Sequence, residues 1–409
     1  VGACGLLGAS LALADAAEAP AEPSGPAAVF SEVWTLVRDN FFDPALRGLD
    51  WEEVRRRYGA RAASAPNFEA VAAVINEMLA ALHTSHTHFY TRADPEYYQL
   101  LGIFRESPSV AQAIDRLFPK GLTYPSLGLL TESIDGQVFV RGLPGPQTLV
   151  APFRVGDRIV TANGAPFHPV DSLIAGQPVE LVIQRTADPA SRFTVTAEPS
   201  DLDPMLVPAL DMFERRGRKI GHVRMWSWAG DEYQRLLEHG LFTAETNGVE
   251  GLILDVREGW GGADPRYLHM FDCDVPRMTS IDRAGKRFDW FRCWSKPVVL
   301  LINEKTRSGK ELVAYGFRKY EIGPVVGTRT AGSVTAGKLF VLSDASLLYL
   351  AVGDVLVDGE RLEGVGVAPD VEVPFDIRYA AGADPQLERA VEVLLERLPP
   401  PVEGEKAPR

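Results

Sequence analysis

Three cysteines in 409 residues are too few for a disulfide-stapled mini-domain or a cysteine-rich zinc module. Positive charge is also short. The 42 Lys+Arg against 55 Asp+Glu leave a net charge of −13, which excludes a nucleic-acid binder, whose phosphate contacts need a basic face. Past the N-terminus no run reaches the roughly 20 apolar residues that a membrane-spanning helix requires. What is present is ordinary for a globular protein. A hydrophobic share of 46% with 24% charged residues excludes bulk disorder. At about 100–200 residues per domain, the length allows two to four domains.

The first residues read as an address. Residues 2–14 are small, apolar and uncharged, and Ala14-Asp15-Ala16 gives a small-x-small cleavage pattern before an Ala/Pro/Glu-rich spacer. Residues 1–28 are therefore expected to be a secretory signal segment and linker, and the protein to be exported, to a periplasm or the cell exterior. Val1-Gly2-Ala3-Cys4 also resembles a lipobox that would make Cys4 a lipid anchor, although the apolar run after it speaks against one. In an exported chain Cys273 and Cys293 could form a disulfide, which spacing alone does not decide.

Apolar residues recur at helical spacing in Phe30, Val33, Trp34, Val37 and Phe41, and again from Phe68 to Leu82, with Asn67 as an N-cap after Pro66. The second helix runs out at Leu82-His83-Thr84-Ser85-His86-Thr87-His88. His83 and His88 do not share one helix face with His86 and no carboxylates complete a ligand set, so no metal is expected. From 121 to 200 short strands (Val138–Val140, Arg158–Val160, Val179–Ile183) alternate with Asp135-Gly136, Gly156-Asp157 and Asn163-Gly164 turns. After 201, continuous apolar runs at Gly251–Leu254 and Val298–Ile302 suit a sheet buried by helices on both faces, and Pro385–Leu398 reads as an amphipathic helix.

Two buried strands run into turns that bear chemistry. One leads through Leu254-Asp255-Val256-Arg257 to Glu258-Gly259-Trp260-Gly261-Gly262, whose backbone N–H groups would face a ligand at the sheet edge. The other leads to Thr306-Arg307-Ser308-Gly309-Lys310-Glu311 and a helix. A serine between strand and helix can be a nucleophile backed by N–H groups and the positive helix end, or simply an N-cap.

Five elements in order resemble the S41 serine peptidases, which include the C-terminal processing proteases, the tricorn core protease and the interphotoreceptor retinoid-binding repeats. They are Leu82-x-x-Ser85-His86-Thr87, Leu254-Asp255-x-Arg257 with Gly261-Gly262, Thr306-x-Ser308-Gly309-x-Glu311, Gly327-x-x-Thr330-x-Gly332, and Glu363-Gly364-x-Gly366-Val367-x-Pro369-Asp370. Gly128-Leu129-Leu130 with Phe153–Ile159 resembles a PDZ domain. The resemblance implies an N-terminal helical domain (29–120), an inserted PDZ-like β-rich domain (121–200) and a ClpP/crotonase-like α/β catalytic domain (201–400). It implies a serine endopeptidase that acts on proteins or peptides without a cofactor.

In the Ser–Lys branch of that family a lysine follows the T-x-G turn, where this chain has Ser333. The tricorn branch uses a Ser-His pair and a glutamate, as in Ser85-His86 and Glu363 here. The resemblance thus implies Ser308 as nucleophile, His86 as general base, Glu363 supporting it directly or through Ser85, and the N–H groups of Gly309 and Gly261 as the oxyanion hole. Glu258 replaces the usual Asn, Trp260 is bulky beside that hole, and Gly309 replaces an Ala and is expected to be harmless. Lys310 is expected to point to solvent, and Lys338 is the competing base. His168, His222, His239 and His269 are expected on the surface or satisfied in the core, and Trp226, Trp228, Trp260, Trp290 and Trp294 in core and pocket walls. The rival reading is a binding module that keeps the fold without catalysis, as the retinoid-binding repeats do.

Overall fold

The computed structural model describes residues 25–400 apart from 275, 277 and 290–292. The signal segment and Cys4 therefore lie outside the described residues for all but its last positions, and Trp290 lies outside them too.

Three helices open the fold: α1 (Pro26–Asn40), α2 (Trp51–Ala63) and α3 (Phe68–Ala80). The helical stripe seen in the sequence is buried, with Val33, Trp34 and Val37 packed on Val71, Ile75, Met78 and Leu79. Asn67 caps α3 as expected, its side-chain oxygen accepting from the Ala70 N–H at 2.8 Å. A tight turn then delivers the chain to the short strand β1 (His88–Tyr90).

Between 124 and 202 the chain forms an antiparallel β region. Its sheet comprises β2 (Leu130–Ile134), β3 (Gln137–Gly142), β4 (Arg158–Ala162), β5 (Val179–Gln184) and β6 (Arg192–Ala197), in that spatial order. The Asp135-Gly136 and Asn163-Gly164 pairs take positive φ at both positions, the geometry that closes two-residue hairpins with the twist of their strands. Leu127, Val140, Phe153, Ile159, Leu181 and Ile183 fill its own small core. The chain enters and leaves this region side by side, because Tyr124–Ser126 pairs antiparallel with Ser200–Leu202.

The remaining residues build a six-stranded sheet from β7 (Ala209–Arg215), β8 (Arg218–Arg224), β9 (Gly251–Asp255), β10 (Val298–Ile302), β11 (Val325–Gly327) and β14 (Val371–Glu372), with every pair after β7–β8 parallel. As the apolar runs imply, both faces are covered. Leu252, Leu254, Leu300 and Ile302 pack on α4 (Asp231–Thr246) and α5 (Gly309–Lys319). Ile253, Val299 and Leu301 pack on Ala390, Val391 and Leu394 of the last helix, α6 (Pro385–Arg397).

A hairpin of β12 (Ala336–Val341) and β13 (Leu347–Gly353) fastens the opening helices to the rest. β1 pairs antiparallel with β13, Phe89 opposite Leu348. Leu342, Leu348, Leu350 and Ala351 share one core with α1 and α3. This packing carries the turn after α3 into contact with residues more than 240 positions later.

Candidate active site

Ser308 sits where β10 gives way to α5. Its backbone has φ +57° and ψ −133°, a conformation costly for any residue with a Cβ and typical of a side chain held proud at a strand-to-helix turn. Buried hydrogen bonds over-determine it. Thr306 Oγ1 accepts from the Asn303 N–H at 3.0 Å and donates to the Val256 carbonyl at 3.2 Å. The buried Glu311 carboxylate accepts from the Ser308 N–H at 3.1 Å, from Thr330 Oγ1 at 2.6 Å, and from the Gly332 and Ser333 N–H groups at 2.7 Å each. Thr330 Oγ1 in turn accepts from the Val367 N–H at 2.7 Å. The separate sequence elements are thus one bonded structure, and Glu311, seen in the sequence only as part of a motif, is its hub.

The turn that carries Gly261 presses against Ser308. A Cβ on Gly261 would lie 2.5 Å from the Ser308 Cβ, so only glycine fits. Gly309 is equally constrained, since its Cβ would lie 2.3 Å from the backbone of Ala263. Glycine for alanine at 309 is therefore more than harmless: the 261–263 backbone runs too close to α5 for any side chain. Among the described residues no protein acceptor engages the Gly261 or Gly309 N–H. Both stay available to an oxyanion beside Ser308.

His86 lies in the turn between α3 and β1, itself at φ +52°. Its Nδ1 is 2.8 Å from Ser85 Oγ, and Ser85 Oγ donates to Glu363 Oε2 at 2.8 Å. Glu363 also accepts from the backbone N–H groups of Ser85 at 2.8 Å and Val334 at 2.7 Å. Thr335 Oγ1 donates to the Ser85 carbonyl at 3.3 Å and lies 3.1 Å from Nδ1. Both hydroxyls thus have their protons committed elsewhere, so Nδ1 is the nitrogen that carries hydrogen. That tautomer leaves Nε2 unprotonated, as a general base requires. The ring stands edge-on to Tyr349, with centroids 5.1 Å apart. Burial, then the charge of Arg307, hold the imidazole down at about 4.

The structure therefore brings Ser85, His86 and Glu363 into one chain and Ser308, Gly309 and Gly261 into another. The segment 333–335 joins them, with Ser333 accepting from Ser308 N–H at 2.8 Å, Val334 donating to Glu363 and Thr335 facing His86. No hydrogen bond links Ser308 Oγ directly to the imidazole, and catalytic contacts of this kind often close only around substrate.

Several expectations change. Lys310 does not point to solvent. It is fully buried, donating from Nζ to the carbonyls of Glu258 at 2.7 Å and Trp226 at 3.2 Å, and burial brings its ammonium down to about 7. Lys338 does not fold back toward the site, but is exposed on β12 with its Nζ over the Phe340 ring at 4.9 Å. His222 is a satisfied core residue, 3.1 Å from Asp255, while His168, His239 and His269 are exposed. Trp226, Trp228, Trp260 and Trp294 are buried. Cys273 and Cys293 are bonded, with their Cα atoms 5.4 Å apart. Thr335 and Arg307 were missed, since nothing local in sequence says that Thr335 meets an imidazole 249 positions away or that the charge of Arg307 reaches it.

A groove leads to the site. A cleft of about 700 Å³ lies between α3 and β1 on one side and the edge strand β2 on the other. It shares Leu130, Thr131, Glu96 and Gln99 with a second cavity of about 540 Å³ that reaches Trp260, Arg307 and Ser333. Arg141 of β3 spans the junction, pairing with Glu132 at 2.5 Å and with Glu258 and Glu304 at 2.7 Å each. Among the described residues no helix is long and apolar enough to cross a membrane.

Comparison with known proteins finds relatives in sequence and in fold. The profile of peptidase family S41 matches residues 219–373, and that of the tricorn protease C1 domain matches residues 26–80. Tricorn protease homolog 1 of Streptomyces coelicolor is 27% identical over 399 residues, covering 90% of this chain and 35% of the relative. The carboxyl-terminal-processing protease of Synechocystis is 24% identical over 381 residues, covering 86% of this chain and 84% of that one. The chain thus spans about a third of the tricorn relative's length and most of the processing protease's. Among solved structures, the tricorn protease superposes with a TM-score of 0.52 at 19% identity, over 90% of this chain and 36% of its own. The photosystem II D1 C-terminal processing protease superposes with a TM-score of 0.50 at 22% identity, over 88% of this chain and 98% of its own. The order of the motifs, their joining into one bonded structure and these two profiles together identify residues 219–373 as a peptidase family S41 domain and residues 26–80 as the C1 helices of the tricorn proteases.

Proposed function

We propose that the chain is a serine endopeptidase that cleaves protein or peptide substrates through an acyl-enzyme on Ser308. His86 Nε2 takes the hydroxyl proton, Glu363 steadies the resulting imidazolium through Ser85, and the Gly309 and Gly261 N–H groups hold the tetrahedral oxyanion. The observation that carries this reading is the unbroken Glu363–Ser85–His86 hydrogen-bond chain, joined through residues 333–335 to a serine on a strained strand-to-helix turn. In this reading 201–400 is a ClpP/crotonase-like catalytic unit and 29–120 the helical domain that brings the base. The 121–200 region is PDZ-like, receiving a substrate's C-terminal strand along β2.

A fluorophosphonate probe tests the chemistry. It should label wild-type protein at Ser308 and leave Ser308→Ala and His86→Ala unlabelled. A wild-type protein that hydrolyses nothing and takes no label would instead be the non-catalytic binding module. We further place the protein outside the cytoplasm, on the signal-like residues 2–14 and the Cys273–Cys293 bond, which suits an oxidising compartment. Fractionation of cells expressing the full-length protein tests that placement, and recovery in the cytoplasm with both thiols reduced would sink it.

A further inference from the structure

Arg307 immediately precedes the nucleophile, and its guanidinium lies in the groove. The carbon at its centre sits 3.9 Å from the centroid of the Trp260 ring, and Nε donates to the Gly259 carbonyl at 3.0 Å. These contacts fix the plane of the group yet occupy one of its N–H donors. Among the described residues no carboxylate pairs with it. The neighbouring cations of the same groove are all neutralised, Arg141 by Glu132, Glu258 and Glu304, and Lys305 by Glu132. Asp94 and Glu96 line the same groove without closing an ion pair to Arg307.

The charge is felt across the whole cavity, where it weighs against protonation of His86 and His88 and favours ionisation of Tyr90 and Tyr349. An unneutralised guanidinium in a half-buried, aromatic-walled groove is costly to keep unless something anionic comes to it. Its planar fork matches a carboxylate through two parallel N–H···O bonds, and the tryptophan face holds the fork in place. The cavity of about 540 Å³ in front of it has room for a side chain.

We propose that Arg307 is a specificity-determining residue that receives a substrate carboxylate beside the scissile bond. The inference rests on the peptidase reading and names its substrate class: peptides with an acidic side chain, or a free terminal carboxylate, next to the bond that is cut. A charge-assisted hydrogen bond contributes about 1.5–3 kcal/mol, which corresponds to a preference on the order of 10- to 100-fold.

The test begins with denatured casein, digested by the full-length protein and mapped by mass spectrometry. Peptides around the strongest cut are then made with Glu or Gln at the flanking position, each with a free or an amidated C-terminus. Active-site titration with the fluorophosphonate normalises every rate. The expected result is a kcat/KM at least about 10-fold higher for the carboxylate-bearing member of one pair. That ratio should fall to near one in Arg307→Gln and invert toward a Lys-bearing peptide in Arg307→Glu. A preference confined to the Glu/Gln pair assigns the site to a side chain, and one confined to the acid/amide pair assigns it to a chain terminus. Titratable, active wild-type enzyme with equal rates on all four peptides overturns this inference and leaves the peptidase reading standing. Absence of labelling overturns the peptidase reading itself.

Discussion

The carbonyl of Ser333 accepts a hydrogen bond from the backbone N–H of Ser308 at 2.8 Å. Ser333 occupies the place where the Ser–Lys branch of the family carries its lysine, so that position does lie against Ser308. In this chain it offers a backbone oxygen and a short hydroxyl. The two residues after it turn the other way, Val334 N–H to Glu363 and Thr335 Oγ1 to the His86 imidazole. One three-residue segment therefore touches Ser308 with its first residue and His86 with its last.

Replacement of Ser308 separates catalysis from strain. Ser308→Ala should abolish hydrolysis and cost at most the N-cap that its side chain gives α5 in a capping box with Glu311, about 0.5–2 kcal/mol. Ser308→Gly should be just as inactive yet about 1 kcal/mol more stable than the alanine variant, since only glycine holds φ +57° and ψ −133° without strain. Chemical denaturation of the two variants measures the difference. A glycine variant less stable than alanine would remove the strained-turn argument.

The pH profile reports the base. Only neutral imidazole can take the Ser308 proton, so kcat/KM should rise with pH and level off above the free-enzyme pKa. Burial and Arg307 place that limb near 4 rather than at the 6.5 of an ordinary histidine. The folded state then holds fewer protons than the unfolded chain between those values. Its stability is full above pH 6.5 and is lost as pH falls toward about 4. His86→Ala should lose as much activity as Ser308→Ala, because members of one catalytic unit are not additive. Lys338→Ala, at an exposed position on β12, should stay near wild type. An inactive Lys338→Ala beside an active His86→Ala would reverse the assignment.

Ser85 is the link between carboxylate and imidazole. Ser85→Ala removes both the acceptor for Nδ1 and the donor to Glu363, but leaves Thr335 Oγ1 facing Nδ1 at 3.1 Å. The loss in kcat should be on the order of 10- to 100-fold, short of that for His86→Ala. Ser85→Thr, which restores the hydroxyl, should recover most of it. Equal rates for Ser85→Ala and wild type would show that Thr335 alone orients the ring.

Lys310 should matter for both stability and turnover. Lys310→Met keeps the volume but leaves the Trp226 and Glu258 carbonyls without their donor, at a cost of about 1–3 kcal/mol. It also frees the turn that offers the Gly261 N–H, so kcat should drop. The wild-type lysine loses its proton near pH 7 when folded and near 10.5 when unfolded. Between those values the unfolded chain binds more protons, so wild type should gain stability over Lys310→Met as pH rises from about 7 to 10. Denaturation at two pH values measures this, and a gap that narrows with pH would contradict the burial.

What could be read in the sequence was whatever a local pattern dictates. The Asn67 cap, the Asp135-Gly136 and Asn163-Gly164 turns and the buried runs at Gly251 and Val298 each follow from a few adjacent residues, and each is where the pattern puts it. Motif order carried the site, because Glu311 bonds both Ser308 and Thr330, and the Thr306 carbonyl accepts from the Ala331 N–H beside it. Lys310 was misread because its neighbours in sequence suggest an exposed helix start, whereas the loops at Trp226 and Glu258 close over it. Arg307 went unnoticed for a related reason. An arginine in isolation looks like a surface charge, and only the packing of Trp260 beside it shows a group held in the groove without a partner.

The hydrogen bonds from Ser85 to Glu363 span 278 residues of chain. During synthesis the base emerges early and the nucleophile much later. The carboxylate that joins them comes last, together with the β12–β13 hairpin against which the first helices must pack. A ribosome-bound fragment ending between Ser308 and Glu363 thus carries both the imidazole and the serine hydroxyl but not the carboxylate that joins their supports. In the proposed peptidase, the order of translation would keep proteolysis silent until the chain is nearly finished.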